Sequence, residues 1–184
     1  MMKLAMFDMD GTLFNTNYIN YYAYKEALEK YNISIDYEYY CNYCNGRHYA
    51  AFLSVLVNND KEKMEDIHNI KKEVYSKYLD KVIINKHLFN IIEKFKNDYK
   101  IALVTTASKR NTYEILEYTK TINLFDLILT SEDVKKQKPD PEGFLLAMSK
   151  YQVKPEDCII FEDSSTGIEA AQKTNATIFK VENF

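Results

Sequence analysis

The 184-residue sequence has no tryptophan, only three cysteines, three histidines, three prolines and four glycines. An odd number of cysteines argues against a disulfide framework. Cys41 and Cys44 form a C-x-x-C pair, but the chain has no second pair to complete a zinc site, and no strand precedes them as a redox motif would require. Because glycines are so few, we expect each to mark a backbone requirement, as at Gly11 and Gly167 beside acidic residues.

Long apolar runs and strong charge of one sign are also missing. No apolar stretch approaches the roughly twenty residues that span a bilayer, and Asp8 and Asp10 directly follow the short apolar segment at the start of the chain. The net charge of −3 gives no electrostatic footprint for nucleic acid. We therefore expect a soluble cytoplasmic protein that binds neither membranes nor nucleic acid. The sequence does not indicate the oligomeric state, for which we expect a monomer.

What the sequence does contain is an alternation of short apolar runs with helical patterns. Runs of strand length occur at residues 4–7, 101–104, 127–129, 158–161 and 177–181. Amphipathic helices are expected at residues 88–95, 113–118, 142–151 and 168–172. Strands that alternate with helices predict right-handed crossovers and a parallel sheet covered on both faces. The expected fold class is therefore α/β, with a Rossmann-like parallel sheet of about five strands.

Residues 15–80 differ from the rest of the chain in pattern and in composition. Most of the 16 tyrosines lie here, and no convincing strand does. Helical spacing predicts helices at about residues 16–31, 36–43, 47–57 and 62–79. Thr16 is the expected N-cap of the first helix. We predict that residues 15–80 form an all-helical unit inserted after the first strand, and that residues 1–14 and 81–184 form the α/β core.

Every predicted strand but the last leads into polar residues. In chain order these are Asp8 and Asp10, Thr105 and Thr106, the loop Lys138-Pro-Asp-Pro141, and Glu162 with Asp163. In open parallel sheets, ligands bind beyond the carboxyl ends of the strands, where the strand order reverses. We therefore expect these groups to meet at one edge of the sheet. The alternative is a set of solvated loop residues, but four apolar runs with the same kind of ending argue against coincidence.

The expected cluster suits a divalent cation and a phosphoryl group. Its carboxylates are Asp8, Asp10, Asp163 and, as a partial or supporting ligand, Glu162. Oxygen ligands of this kind favour Mg²⁺, and the three histidines lie outside these loops, so a zinc centre is not expected. Lys138 supplies a positive charge and Thr105 a hydroxyl donor, both suited to phosphoryl oxygens. A carboxylate in such a site can also act as a nucleophile.

The same segments resemble, in order, the four motifs of the haloacid dehalogenase superfamily. They are Asp8-Met-Asp-Gly-Thr12, Leu103-Val-Thr-Thr-Ala-Ser108, Lys138-Pro-Asp-Pro141 and Phe161-Glu-Asp-Ser-Ser-Thr-Gly-Ile168. The resemblance covers essentially the whole chain. It is closest to the phosphatase and phosphoglucomutase-like branch, which has a helical cap inserted after the first motif.

The resemblance implies a role for each matching acid. Asp8 would be the nucleophile that forms an aspartyl-phosphate. Asp10 would be the general acid/base, and its backbone carbonyl would bind the cation. Asp163 would be the third ligand of the Mg²⁺ ion, with Glu162 adjacent to it.

The resemblance also implies how the substrate is held. Thr105, with Thr106 beside it, and Lys138 would bind the transferring phosphoryl group. Residues 15–80 would be a cap that closes over the site, excludes water and selects the leaving group. In this cap, Arg47 lies in a segment that resembles the substrate-facing cap loop, and Lys71 resembles a cap lysine of the mutase branch. An ordinary surface arginine at a helix start remains the alternative for Arg47.

The predicted function is that of a Mg²⁺-dependent phosphatase acting on a small phosphorylated metabolite, such as a sugar phosphate. A sugar-phosphate mutase with the same intermediate is the first alternative, and Asn20, where the mutase branch carries a histidine, favours hydrolysis. A non-catalytic phosphate-binding domain is the second, against which the complete set of catalytic groups argues. A dehalogenase, the remote third, needs neither the second aspartate nor the cation. The sequence does not indicate the exact substrate.

Overall fold

The computed structural model describes residues 2–182 and residue 184. Its strands are β1 (Lys3–Phe7), β2 (Phe14–Asn15), β3 (Ile83–Ile84), β4 (Tyr99–Val104), β5 (Leu127–Leu129), β6 (Cys158–Glu162) and β7 (Thr177–Lys180). Its α-helices are α1 (Asn17–Glu29), α2 (Tyr37–Tyr39), α3 (Tyr49–Leu56), α4 (Lys61–Val74), α5 (Lys86–Phe95), α6 (Lys109–Tyr118), α7 (Glu142–Tyr151) and α8 (Ser165–Gln172). Within the described part of the chain, no helix is long and apolar enough to cross a membrane.

Five strands form one parallel sheet in the order β5-β4-β1-β6-β7, which confirms the predicted α/β class. β1 is central, and the order reverses there, with β4 on one side and β6 on the other. In this register Phe7 pairs with Leu103 and with Phe161. The residues that follow the paired positions on all three strands therefore meet at one edge of the sheet.

Apolar side chains cover both faces of the sheet, as expected for parallel strands buried between helices. On one face, Leu4 and Met6 of β1 belong to a buried cluster with Phe144 of α7 and Ala171 of α8. Alternate residues point to opposite faces. Accordingly, Phe7 lies on the other face, where its ring stacks on the neighbouring ring of Phe161 at 4.5 Å between centroids.

A second, two-stranded sheet lies where the chain leaves the α/β part and returns to it. β2 and β3 are antiparallel, and Phe14 pairs with Ile84 and Asn15 with Ile83. The sequence analysis did not anticipate these strands, because two residues are too few for a periodic pattern to be detected.

The chain divides into two compact units. The first consists of Met1–Asn15 and Ile83–Phe184 and contains both sheets with α5–α8. The second, Thr16–Val82, contains α1–α4 and is called the helical unit below. Its buried core includes three of its tyrosines, namely Tyr21, Tyr24 and Tyr40. These tyrosines therefore serve the packing of the helical unit.

Several helices of this unit differ from the predicted ones. The helix expected at residues 36–43 is a single α-turn, α2, followed by a π-helical segment at Tyr40–Cys44. The helix expected to reach residue 79 ends at Val74 and continues as a 3₁₀ helix, Tyr75–Lys81. Such tightened or widened turns preserve the apolar spacing of an α-helix closely enough to escape pattern analysis.

The predicted N-cap residue of α1 is correct in position, but its side chain does not make the expected capping hydrogen bond. α1 begins at Asn17, directly after Thr16, but Thr16 makes no side-chain capping bond to the helix backbone. Its hydroxyl instead accepts a hydrogen bond of 3.1 Å from Nδ2 of Asn20. Thr16 is 2% exposed, so this bond pairs two polar groups at the start of the helix.

Candidate active site

A lysine and two acids meet at the carboxyl edge of the parallel sheet. The Lys138 ammonium donates hydrogen bonds of 2.6 Å to Oδ1 of Asp8, 2.6 Å to Oε1 of Glu162 and 3.0 Å to the carbonyl of Val104. The three acceptors come from the ends of β1, β6 and β4, which the sheet register brings together. The side chain of Lys138 is 8% exposed and that of Asp8 9%. The ion pairs are therefore shielded from water, and such interactions are stronger there than in bulk solvent.

The loop before α7 is held in place by its own hydrogen bonds. Glu142, in the first turn of α7, accepts bonds of 2.9 Å from the backbone N–H groups of Lys135 and Lys136. On the other side of the loop, Lys173, the residue after α8, donates a 2.8 Å bond to the carbonyl of Pro139. These bonds fix the backbone on both sides of Lys138, so its ammonium has a defined position.

Glu162 is fully buried, and both of its carboxylate oxygens are occupied. Oε1 accepts from Lys138, while Oε2 accepts from the backbone N–H of Ser164 at 2.8 Å and from its hydroxyl at 3.0 Å. The Ser164 hydroxyl also caps α8 by accepting from the N–H of Gly167 at 3.0 Å. The role of Ser164 was not predicted, since a serine in a loop gives no signal that separates it from a solvated one.

Asp163 is held by a partner that the sequence analysis did not single out. The hydroxyl of Thr12, a fully buried residue, donates a 2.9 Å bond to Oδ1 of Asp163. Gly11, with φ +87°, lies directly against the same carboxylate, and a Cβ at this position would overlap it. Gly11 therefore meets the backbone requirement that was predicted and a requirement for space that was not.

Three of the predicted acids lie close enough to share one ion. Side-chain oxygens of Asp8, Glu162 and Asp163 all lie within 4.8 Å of one another. Asp10 lies in the turn after β1, where its backbone bridges to Phe14. The residue pattern placed the Asp10 carboxylate in this cluster, but the group of three acids does not include it. The contact that the resemblance implies for Asp10 is through its backbone carbonyl and stays a prediction.

Thr105 and Thr106 lie at the end of β4, on the other side of Lys138. The backbone N–H of Thr105 donates to the carbonyl of Leu129 at 3.0 Å, which fixes the start of the loop to β5. Its hydroxyl oxygen accepts from the N–H of Ala107 at 3.0 Å, leaving the hydroxyl hydrogen for another acceptor. With Lys138, both threonines line a small pocket that is open to solvent.

Burial and like charge shape the acid–base properties of the cluster. Burial raises the pKa of Asp8 well above its usual value; Lys138 opposes this shift, and Glu162 and Asp163 add to it. Burial also raises the pKa of Asp163 to about 6, against the hydrogen bond from Thr12. Burial alone would lower the pKa of Lys138, but the charges of Asp8 and Glu162 outweigh it and hold the ammonium charged.

The donor set fits a hard divalent cation. The three carboxylates and the single ammonium leave an excess of two negative charges when all are ionised. Burial is the main cause of the raised pKa of Asp163 and the charge of Glu162 adds to it; a 2+ ion at the cluster would neutralise the excess negative charge. The ligand atoms are oxygens, which suit Mg²⁺.

Arg47 and Lys71 both belong to the helical unit. Arg47 is exposed, and its backbone N–H donates to the carbonyl of Cys44 at 3.2 Å. Lys71 is 7% exposed, and its ammonium lies 4.5 Å from the ring centroid of Tyr75 and 5.5 Å from that of Tyr24. Contact of these two residues with a substrate stays a prediction.

Comparison with known proteins shows that the chain is similar in sequence to two phosphatases. It is 31% identical over 178 residues to a phosphorylated carbohydrates phosphatase of Thermotoga maritima, covering 93% of this chain and 81% of the relative. It is 27% identical over 171 residues to the fructose-1-phosphate phosphatase YqaB of Escherichia coli, covering 91% of this chain and 89% of the relative. The sequence similarity therefore extends over nearly the whole length of both relatives.

The fold is shared with a solved structure that is also similar in sequence. A putative β-phosphoglucomutase from Thermotoga maritima superposes with a TM-score of 0.77 at 27% identity, covering 100% of this chain and 87% of that one. A family model described as "Haloacid dehalogenase-like hydrolase" matches residues 5–181. The matched region begins within β1, includes the other four strands of the parallel sheet and contains every residue of the candidate site. The chain therefore belongs to the haloacid dehalogenase-like hydrolase family and is an enzyme of that family.

Proposed function

We propose that this protein is a Mg²⁺-dependent phosphatase that hydrolyses a small phosphorylated metabolite, a sugar phosphate or a similar ester, through an aspartyl-phosphate on Asp8. The observation that carries this proposal is the convergence of Asp8, Lys138, Glu162 and Asp163 on one edge of the sheet, with the Lys138 ammonium 2.6 Å from Asp8. Phosphoryl transfer requires mainly positioning and neutralisation of charge, and this set of groups provides both.

In the first half of the proposed reaction, a carboxylate oxygen of Asp8 attacks the phosphorus atom. A bond from this oxygen to phosphorus forms, and the bond from phosphorus to the ester oxygen breaks. Asp10 donates a proton to the departing oxygen, so that the product leaves as an alcohol. Lys138 and the Thr105 hydroxyl hold the phosphoryl oxygens during transfer.

In the second half, water replaces the leaving group. The oxygen of a water molecule attacks phosphorus while Asp10, now ionised, accepts a proton from that water. The bond from phosphorus to the Asp8 oxygen breaks, which restores the Asp8 carboxylate and releases inorganic phosphate. Asp8, Asp163 and the backbone carbonyl of Asp10 would hold the Mg²⁺ ion, which supplies neutralising charge next to the phosphoryl oxygens. In this proposal the helical unit is a cap that selects the leaving group.

The substrate class rests on the named relatives. Both matched phosphatases act, by their names, on phosphorylated carbohydrates. A sugar phosphate is therefore the class with which a substrate panel should begin.

A mutase is the second candidate, favoured by the 27% identity to the putative β-phosphoglucomutase. Both reactions share the aspartyl-phosphate and differ in which hydroxyl group accepts the phosphoryl group. At the position of Asn20 the mutase branch carries a histidine. Asn20 has no titratable side chain, which favours hydrolysis, and it donates a hydrogen bond to Thr16. Free phosphate is the product of hydrolysis, and an isomerised sugar phosphate is the product of the mutase.

The decisive experiment replaces the nucleophile with its isostere. Asp8→Asn is expected to abolish phosphate release from a panel of sugar phosphates, nucleotides and small phosphorylated acids, assayed with and without Mg²⁺. Asp98→Asn, at an exposed position, is the matched control and should retain the wild-type rate. Phosphate release that survives in Asp8→Asn would refute the assignment of the nucleophile, and no release by the wild type from any ester would refute the phosphatase.

A further inference from the structure

Gly167 occupies a position where a glycine has no conformational purpose. It lies in the first turn of α8, and among the described glycines a positive φ occurs at Gly11 and Gly46 only. Glycine destabilises the interior of a helix relative to alanine, because it loses more conformational freedom on folding. A helical glycine that the backbone does not require calls for a different explanation.

The space around Gly167 supplies that explanation. A Cβ built on this residue would overlap Cδ and both oxygens of the Glu162 carboxylate. Gly143, in the corresponding first turn of α7, differs, because its Cβ would meet only the methyl groups of Val104 and Val134. The space that a side chain of residue 167 would occupy is thus taken by the Glu162 carboxylate, which accepts a hydrogen bond from Lys138.

Glu162 cannot move away without losing its partners. It is 0% exposed, and it accepts bonds from the Lys138 ammonium and from the N–H and hydroxyl of Ser164. A buried carboxylate that loses such bonds keeps its desolvation penalty without compensation. A methyl group at residue 167 would therefore push the carboxylate out of line with Lys138.

We infer that Gly167 is a positioning residue, whose lack of a side chain allows Glu162 to hold the Lys138 ammonium beside Asp8. Lys138 has three acceptors, and loss of the bond to Glu162 leaves it with Asp8 and the Val104 carbonyl. The ammonium is then no longer fixed from the β6 side. This inference rests on the proposed function for its effect on turnover, but its structural part does not depend on any substrate.

A double-mutant cycle tests the inference. Gly167→Ala is expected to lower kcat about a hundredfold with a smaller change in KM, as for a misplacement of a reacting group by about 1 Å. In a Glu162→Ala background, where no carboxylate remains to be displaced, the same Gly167→Ala change should alter kcat by less than about twofold. Ser165→Ala, at an exposed position of the same turn, serves as the control and should have the same effect in both backgrounds.

Thermal unfolding supplies a readout that is independent of turnover. Gly167→Ala should lower the Tm of the wild type by about 4 °C or more, yet leave unchanged or raise the Tm of Glu162→Ala, where alanine is the better helix former. If Gly167→Ala alone does not fold, the double variant must still fold as stably as Glu162→Ala.

Equal losses in both backgrounds, a double variant that does not fold, or a normal kcat in Gly167→Ala would each overturn the inference. A wild type that hydrolyses no ester would refute the proposed function instead, while the Tm cycle would still decide whether Gly167 makes room for Glu162.

Discussion

Asp163 connects the proposed binding of magnesium to pH. Burial is the first cause that raises its pKa to about 6, and the charge of Glu162 adds to the shift. A cation must displace the proton, so Mg²⁺ affinity should increase as pH rises through about 6 and fall by up to about tenfold per pH unit below it. Isothermal titration of Mg²⁺ from about pH 5 to about pH 8 measures this dependence.

The control for this prediction removes the titrating group. Asp163→Asn should bind Mg²⁺ weakly at every pH and lose the step near the pKa of Asp163. An affinity of the wild type that stays constant over the same pH range would contradict the assignment of Asp163 as a ligand.

Thr12 is expected to act on the cation through Asp163. Its buried hydroxyl donates to Oδ1 of Asp163 and lowers the pKa of that carboxyl. Thr12→Val keeps the shape but removes the donor, so the pKa of Asp163 should rise and Mg²⁺ affinity at neutral pH should fall about tenfold. Thr119→Val removes a hydroxyl bonded to helix carbonyls of α6 and should leave Mg²⁺ affinity unchanged. Equal affinities of wild type and Thr12→Val would show that this bond is purely structural.

Among single residues, the sequence identified the charged groups of the site but missed two of its hydroxyl groups. Asp8, Lys138 and Asp163 could be selected because they lie in the loops that follow apolar runs, and the carboxyl ends of parallel strands meet at one edge of a sheet. Thr12 and Ser164 were not selected, since loop hydroxyls are common whether or not they bond a buried carboxylate. Gly167 was expected to meet a backbone requirement, whereas the structure shows that it meets a requirement for space.

Among the elements, α5 depends on a single asparagine for its start. Asn85 is 6% exposed; its Oδ1 accepts from the N–H of Leu88, and its Nδ2 donates to the carbonyl of Thr12 at 3.1 Å. Asn85→Ala removes the cap and leaves a buried carbonyl unpaired, which should lower the free energy of unfolding by about 2 kcal/mol. Urea denaturation measures the change.

Asn90→Ala, at an exposed position of the same helix, is the matched control for Asn85→Ala. It should change the free energy of unfolding by less than about 0.5 kcal/mol. An equally small effect of Asn85→Ala would mean that water replaces both of its hydrogen bonds.

The length of an element decided how well the sequence predicted it. β1, β4 and β6 have five or six residues and each contains an apolar run of four, and all were predicted near their observed positions. β2 and β3 have two residues each, and their two pairs join residues that are 68 and 70 positions apart in the chain. Only the folded α/β part brings these residues together, so no local pattern could reveal them.

For the whole molecule, β2 and β3 allow the two units to be separated by design. Asn15 and Ile83 are directly paired, so a two-residue Asn-Gly turn can join them in place of residues 16–82. The shortened chain should keep the circular dichroism of the parallel sheet and hydrolyse a small aryl phosphate. If the helical unit is the proposed cap, selectivity among sugar phosphates should fall.

The shortened chain with Asp8→Asn is the control, and it should release no phosphate. Loss of the sheet signal in the shortened chain would show that the α/β part depends on the helical unit for its stability. Unchanged selectivity would argue against the cap as the element that chooses the leaving group.

Composition and sequence pattern change together where we predicted the division of the chain. The predicted boundaries at residues 14/15 and 80/81 lie close to the division of the units at residues 15/16 and 82/83. The role of the helical unit as a cap stays a prediction, since sequence pattern reports on packing within a unit and not on motion.

The central place of β1 has a consequence for biosynthesis. β1 is made before both of its neighbours, which are complete only when residues 99–104 and 158–162 have been translated. During synthesis the apolar residues of β1 therefore lack their strand partners until late in translation, a condition in which nascent chains aggregate or recruit chaperones. A chain that ends before residue 163 contains Asp8 but lacks Asp163, so the cluster of Asp8, Glu162 and Asp163 cannot form in it.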